Sequence, residues 1–135
     1  MASLNIEHVV HLGDLVQEYP ETPGFDHALR EALTQIADLG LDPHFVAGNH
    51  DVGDKPDPTM PTHDVAPEGL EKFHTQVGPS WKQVDLGPHR LLVVNSQILN
   101  TDLPEATDQR LWLEMQLAMN VEGRTFLFLL SLIHI

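Results

Sequence analysis

Two short apolar runs each stop at a glycine followed at once by a side chain able to bind a cation, and a helix-length amphipathic segment separates them. In the first, Ile6, Val9, Val10 and Leu12 lead into Gly13-Asp14; in the second, Pro43 opens Phe45-Val46-Ala47, which closes on Gly48-Asn49-His50-Asp51. Apolar runs of this kind, closed by glycine, predict buried strands that end in loops. Between them Phe25, Ala28, Leu29, Ala32, Leu33 and Ile36 recur at helical spacing, with Arg30, Glu31 and Gln35 opposite and Gly40 as a stop. Strand, helix, strand makes a βαβ unit, whose right-handed crossover lays the two strands parallel. Both strands then finish on the same edge of the sheet. Asp14 and the Asn49-His50 pair are therefore expected to converge there, where open α/β sheets place their sites.

The rest of the chain continues in the same style. Residues 52–67 contain Pro56, Pro58, Pro61 and Pro67 and read as an irregular loop, longer than loops usually are inside compact domains. Leu70, Phe73 and Val77 suggest a helix, Trp81 to Leu86 a strand, Gly87-Pro88-His89 a tight turn and Arg90 to Asn95 a buried strand. Leu111, Trp112, Met115, Ala118 and Met119 mark a further amphipathic helix, and an apolar strand follows Gly123 from Thr125 onward. Strands are thus expected near 6–13, 44–48, 81–86, 90–95 and 125–130. Trp81, Trp112, Met115 and Met119 are expected in the core, and the fold class is α/β.

Charge narrows the functional classes. Seven Lys and Arg stand against 20 Asp and Glu, giving −13, and protonating all 9 His would raise this only to −13 + 9 = −4. Such a field attracts neither a phosphate backbone nor an acidic lipid surface, so nucleic acid and membranes are not expected partners. It suits a protein that binds cations. With no Cys, any metal must be held by His, Asp, Glu, Asn or water. At 135 residues there is room for one core and one domain. The first residues lack the basic region and apolar stretch of a signal peptide, and the run from Thr125 to Ile135 falls short of the roughly 20 residues of a membrane-spanning helix.

The two strand ends carry the chemistry. Asp14 supplies a carboxylate able to bridge two divalent cations, Asn49 a neutral amide oxygen that ligates without adding charge, and His50 a proton donor. Gly13 and Gly48 let the backbone turn sharply and come close to an ion or a phosphate. The ordered pair, Gly-Asp and then Gly-Asn-His-Asp, resembles the calcineurin-like metallophosphoesterases. Val94-Asn95-Ser96-Gln97 and Asp108-Gln109-Arg110-Leu111-Trp112-Leu113 look like the subgroup of that family that acts as Ser/Thr phosphatases. The resemblance implies a layered α/β/β/α sandwich and hydrolysis of a phosphomonoester or phosphodiester by two divalent ions (Mn, Fe or Zn). Such ions, roughly 3.5 to 4 Å apart, generate a hydroxide at neutral pH and neutralise charge on the phosphoryl group. It makes Asp14 the metal-bridging carboxylate, Asn49 a ligand of one metal, and His50 the group that contacts the phosphoryl oxygen and protonates the leaving alkoxide. Asp51 would stand behind the ligands, with Gly13 and Gly48 shaping the backbone. His63 and Asp64, on the loop after Asn49-His50, could reach the site mouth.

The departures from the family pattern are equally specific. No Asp-x-His motif precedes Gly13. The one such triplet, Asp42-Pro43-His44, comes before its strand and is expected on the opposite sheet edge. His134 is at best a displaced match for the histidine that closes a later strand in the family, and no Gly-His-x-His motif follows. Two ligands cannot hold two ions, since one catalytic zinc already takes three. The chain is therefore expected to be a single incomplete phosphoesterase domain, short at both ends, with a few foreign C-terminal residues, and inactive in isolation. Two other readings compete with the enzyme: an interaction domain that keeps the fold without its ligands, and a mononuclear metal-binding protein. The second lacks any histidine cluster with ligand spacing.

Overall fold

The structure, a computed structural model, describes residues 6–40, 42–59 and 62–130. Its elements run β1 (Val10–His11), α1 (Phe25–Asp38), β2 (His44–Phe45), α2 (Asn49–Val52), α3 (Pro67–Gln76), β3 (Lys82–Leu86), β4 (His89–Val93), α4 (Pro104–Ala118) and β5 (Thr125–Phe128). The class is mixed α/β, with helices and small sheets.

β1 and β2 pair in parallel, with Val10 opposite His44 and His11 opposite Phe45. α1 lies between them in the chain, as the βαβ pattern requires. It buries Phe25 and Leu29, with Ala28, Ala32, Leu33 and Ile36 half-covered beside them. The pairing is shorter than the expected strands at 6–13 and 44–48. The chain must leave the ladder early, because Gly13 and Asp14 both take positive φ, 92° and 51°. The backbone bond from the Val46 N–H to the His11 carbonyl, 2.9 Å, still carries the pairing one step beyond β2.

β3 and β4 form an antiparallel hairpin closed by Gly87-Pro88, and β5 adds in parallel to β4, giving the order β3-β4-β5. β4–α4–β5 is therefore a second parallel crossover. β4 is buried on both faces from Arg90 to Val93, as a central strand should be. The α3 and α4 helices each begin with proline, Pro67 and Pro104, where a missing N–H costs nothing.

The residues just past β2 join two cores. Val46 packs with Leu91 and Val93, while its neighbour Ala47 packs with Val52, Val65, Leu70, Phe73, Ile98 and Ala106. Extended backbone sends successive side chains to opposite faces, so this one segment, wholly buried, anchors both clusters. The sequence Gly48-Asn49-His50-Asp51 leaves directly from it and is fixed from behind by the cores on both sides.

α4 departs from the sequence expectation. Its buried side chains are Ala106 and Gln109, with Leu113 and Gln116 half-buried one and two turns on. Met115 and Met119, expected in the core, lie 62% and 48% exposed, whereas Trp112 and Trp81 are half-buried. The helix is rotated because Gln109 makes two bonds to the Asn95 backbone: the Asn95 N–H to Gln109 Oε1 at 2.7 Å, and Gln109 Nε2 to the Asn95 carbonyl at 2.9 Å. A buried amide that satisfies both groups of a peptide outweighs the apolar stripe.

Candidate functional site

Gly13 and Gly48 bring the ends of β1 and β2 into contact. A Cβ on Gly13 would lie 2.7 Å from the Gly48 nitrogen, and one on Gly48 would lie 2.2 Å from Asp14 Oδ1, so neither position has room for a side chain. The Asp14 carboxylate stands in that space and accepts the His50 N–H at 3.1 Å. Asp14 is itself in the left-handed region, φ 51°. Backbone held in that region by a residue other than glycine stores strain that the surroundings must maintain, and such residues concentrate at functional sites.

Asp51 is what maintains it. Its carboxylate is 1% exposed and accepts three backbone N–H groups: Asp14 at 2.8 Å, Leu15 at 2.9 Å and Gly48 at 2.8 Å. One buried side chain thus clamps the turn after β1 to the turn after β2. Burial pushes the Asp51 carboxyl up from its ordinary range; the three N–H donors oppose this, and the nearby Asp14 charge adds to it.

α2 is a single helical turn where the sequence pattern predicts a loop, and it orients the side chains of Asn49 and His50. His50 Nδ1 lies 2.6 Å from the Gln17 carbonyl. A carbonyl only accepts, so the proton sits on Nδ1 and Nε2 is the outward atom. The His50 ring also packs against Tyr19, centroids 4.4 Å apart, and Tyr19 in turn stacks on His63 at 4.0 Å and 9°. His63 pairs with Glu21.

Asn49 is 5% exposed. Its Nδ2 donates to Asp54 Oδ1 at 2.8 Å and to the Tyr19 hydroxyl at 3.1 Å, and that hydroxyl donates to the Asp54 carboxylate at 3.2–3.3 Å. Asn49 Oδ1, by contrast, is buried with no hydrogen-bond partner among the described residues. An unpaired buried acceptor costs about 1–3 kcal/mol, and such a group is met by an ordered water or a bound ion. Burial pushes the Tyr19 phenol up; the Asn49 amide pulls against this, and the Asp54 carboxylate adds to it, so the hydroxyl keeps its proton.

The structure thus brings Asp14, Asn49, His50 and Asp51 together with Gly13 and Gly48. His63 reaches the same aromatic stack, while Asp64 lines a neighbouring cavity of about 430 Å³ with Pro20, Glu21 and Lys72. His44 opens β2, at the end of the strand opposite Gly48, and contacts His8. His134 lies outside the described residues. Tyr19 and Asp54 were not legible as site residues. Their signals were present all the same: Tyr19 is the chain's single tyrosine, and Gly53-Asp54 repeats the Gly13-Asp14 dipeptide.

Toward a metal, the donor set is suited in kind and short in number. Asp14 and Asn49 offer a carboxylate and an orphaned amide oxygen, yet among the described residues no group of three His, Asp or Glu side chains is arranged to hold an ion. No described helix is long and apolar enough to cross a membrane.

No family model matches the chain. It is 31% identical over 121 residues to the Serine/threonine-protein phosphatase CPPED1 of Danio rerio, an alignment that takes in 84% of this chain and 36% of that protein. The chain therefore spans about a third of the length of this curated relative, and the aligned part makes it a partial homologue of a protein phosphatase.

Proposed function

We propose that this chain is part of a calcineurin-like metallophosphoesterase domain and that the β1–β2 corner contributes to a dinuclear centre hydrolysing phosphoesters. The observation that carries the reading is the buried, unpartnered Asn49 Oδ1 beside the Asp14 carboxylate and the His50 ring, on adjacent parallel strand ends. The partial identity to a Ser/Thr phosphatase supports the same class, with a phosphoprotein or a small phosphoester as substrate. In this reading the two sheets belong to an α/β/β/α sandwich, and residues 1–135 are a single incomplete domain.

Asp14 and Asn49 would hold divalent cations (Mn, Fe or Zn), which supply Lewis acidity and an activated water when bound. Asp14 projects its carboxylate from a backbone that Asp51 keeps in the left-handed region. Asn49 contributes a neutral oxygen. His50, with its Nδ1 proton held by the Gln17 carbonyl, is limited to exchanging protons through Nε2 and would pass one from there to the leaving alkoxide. Tyr19 walls one side of that ring and is itself stacked on His63.

A second reading is an inactive interaction domain, favoured by the missing third ligand among the described residues. One assay separates the two. The purified chain, supplied with Mn²⁺, Fe²⁺ or Zn²⁺, is tested on an aryl phosphate beside Asp14→Asn. Metal uptake measured beside turnover decides, since an incomplete domain is expected to be inactive in isolation. Metal binding that weakens in Asp14→Asn, with or without turnover, supports a phosphoesterase corner; no binding, or binding that the variant leaves intact, supports the interaction domain.

A further inference from the structure

The Asn49 amide has two faces, and its two possible orientations are chemically unequal here. Turned as observed, Nδ2 meets two acceptors, the Asp54 carboxylate at 2.8 Å and the Tyr19 oxygen at 3.1 Å. Turned over, Oδ1 would face a carboxylate that has no hydrogen to give, and Nδ2 would occupy the position where no acceptor lies. The Tyr19 hydroxyl cannot rescue the flipped state without giving up its own bond to Asp54. All three hydrogens of the triangle are therefore committed, and only Oδ1 is left over.

Asp54 is well placed to impose this. Its N–H donates to the His63 carbonyl and its carbonyl accepts from the Val65 N–H, both at 2.7 Å. The next residue's N–H donates to buried Gln97 Oε1 at 3.1 Å. Asp54 is thus tied on both sides of its backbone to residues 63–65, and its successor to Gln97, before its side chain touches Asn49.

We infer that Asp54 and Tyr19 are positioning residues that lock the Asn49 amide with Oδ1 turned outward as a preformed cation donor. The inference rests on the reading of Asn49 as a metal ligand, and it adds the groups that select the orientation. A partner behind a ligand does this at other metal centres, where its loss commonly costs ten-fold or more in affinity. The arrangement also assigns the GD dipeptide at 53–54 a role distinct from that of its twin at 13–14: one supplies a donor, the other aims one.

The test uses the full chain and two readouts. In the metal-free protein, NMR follows the Asn49 side-chain amide protons, identified by their disappearance in Asn49→Ala. They should exchange slowly with solvent in the wild type and at least about ten-fold faster in Asp54→Asn, which keeps shape but puts a donor in place of one of the two acceptor oxygens and so no longer selects one Asn49 orientation. Mn²⁺ titration should then show affinity reduced about ten-fold or more in Asp54→Asn, and less in Tyr19→Phe, which keeps the ring stack. The melting temperature controls for folding, and Asp54→Ala provides a second variant should Asp54→Asn melt early. Unchanged amide exchange in both Asp54 variants overturns the positioning role. Mn²⁺ binding weakened by Asn49→Ala but not by the Asp54 variants does so too. Mn²⁺ binding that Asn49→Ala leaves intact, or none in the wild type, instead overturns the ligand reading beneath it, while the exchange rates still report whether Asp54 sets the amide.

Discussion

The β1–β2 corner and the exposed sides of α4 and β5 are organised in opposite ways. At the corner, polar groups are buried and nearly all paired: Asp51 serves three N–H groups, Asn49 two acceptors, and the two glycines touch. On α4 and β5 large apolar groups lie outside, with Leu117 60%, Leu127 50% and Phe126 41% exposed. Large apolar side chains left in water contribute little to the stability of the chain as it stands. The corner holds itself together through specific bonds, and its geometry is correspondingly sensitive to single atoms. That contrast orders the expected effects of mutation.

Asp51→Ala should be the most damaging change. It leaves three N–H groups of two different turns without the buried carboxylate that accepts them, and about 1–3 kcal/mol attaches to each such group. A loss of at least about 3 kcal/mol in urea denaturation is expected, with the Asp14 turn released from its positive φ. A shift below about 1 kcal/mol would mean that the glycine contact alone holds the corner.

Next comes Gln109→Leu, which is apolar and similar in size. A loss of about 2 kcal/mol is expected in the same denaturation experiment, because the Asn95 N–H and carbonyl both lose their partner. This residue also shows what was legible in the sequence and what was not. The βαβ unit, the parallel pairing and the meeting of Asp14 with Asn49-His50 followed from periodicity and glycine placement, because those depend on local backbone rules. The rotation of α4 did not, since its cause is a bond to a residue 14 positions away, and an apolar tally gives Gln109 no inward weight. Asp54 and Tyr19 escaped for the same reason: they act on Asn49 across 5 and 30 positions, through hydrogen bonds that no spacing rule encodes.

A smaller effect belongs to His74, whose Nε2 lies 2.9 Å from the buried Ser80 hydroxyl. Burial pushes its pKa down, and Glu105 offsets this only in part. The folded state then binds protons less readily than the unfolded chain, so stability is lost as pH falls below the ordinary histidine value of about 6.5 and regained as pH rises to it. Denaturation midpoints measured at several values between pH 5 and 7.5 should rise with pH, and His74→Gln should flatten the rise. Some slope should persist, because burial, with Lys82 and His8 nearby, also lowers His44. An unchanged slope in the variant would assign the whole effect to His44.

The least effect is expected where the chain looks most hydrophobic. Met115→Lys together with Leu117→Glu places charges on two side chains that are already 62% and 60% exposed, and neither belongs to the buried clusters around Val46 and Ala47. Surface substitutions away from special features usually fall within about 0.5 kcal/mol, so the denaturation midpoint should hardly move while solubility improves. Size-exclusion chromatography at rising concentration sharpens the comparison. If the wild type self-associates and the double variant does not, the apolar face is sticky yet unnecessary to the fold. If the double variant unfolds instead, α4 contributes to the core through residues that its exposure does not reveal, and the contrast between a self-sufficient corner and a dispensable face fails.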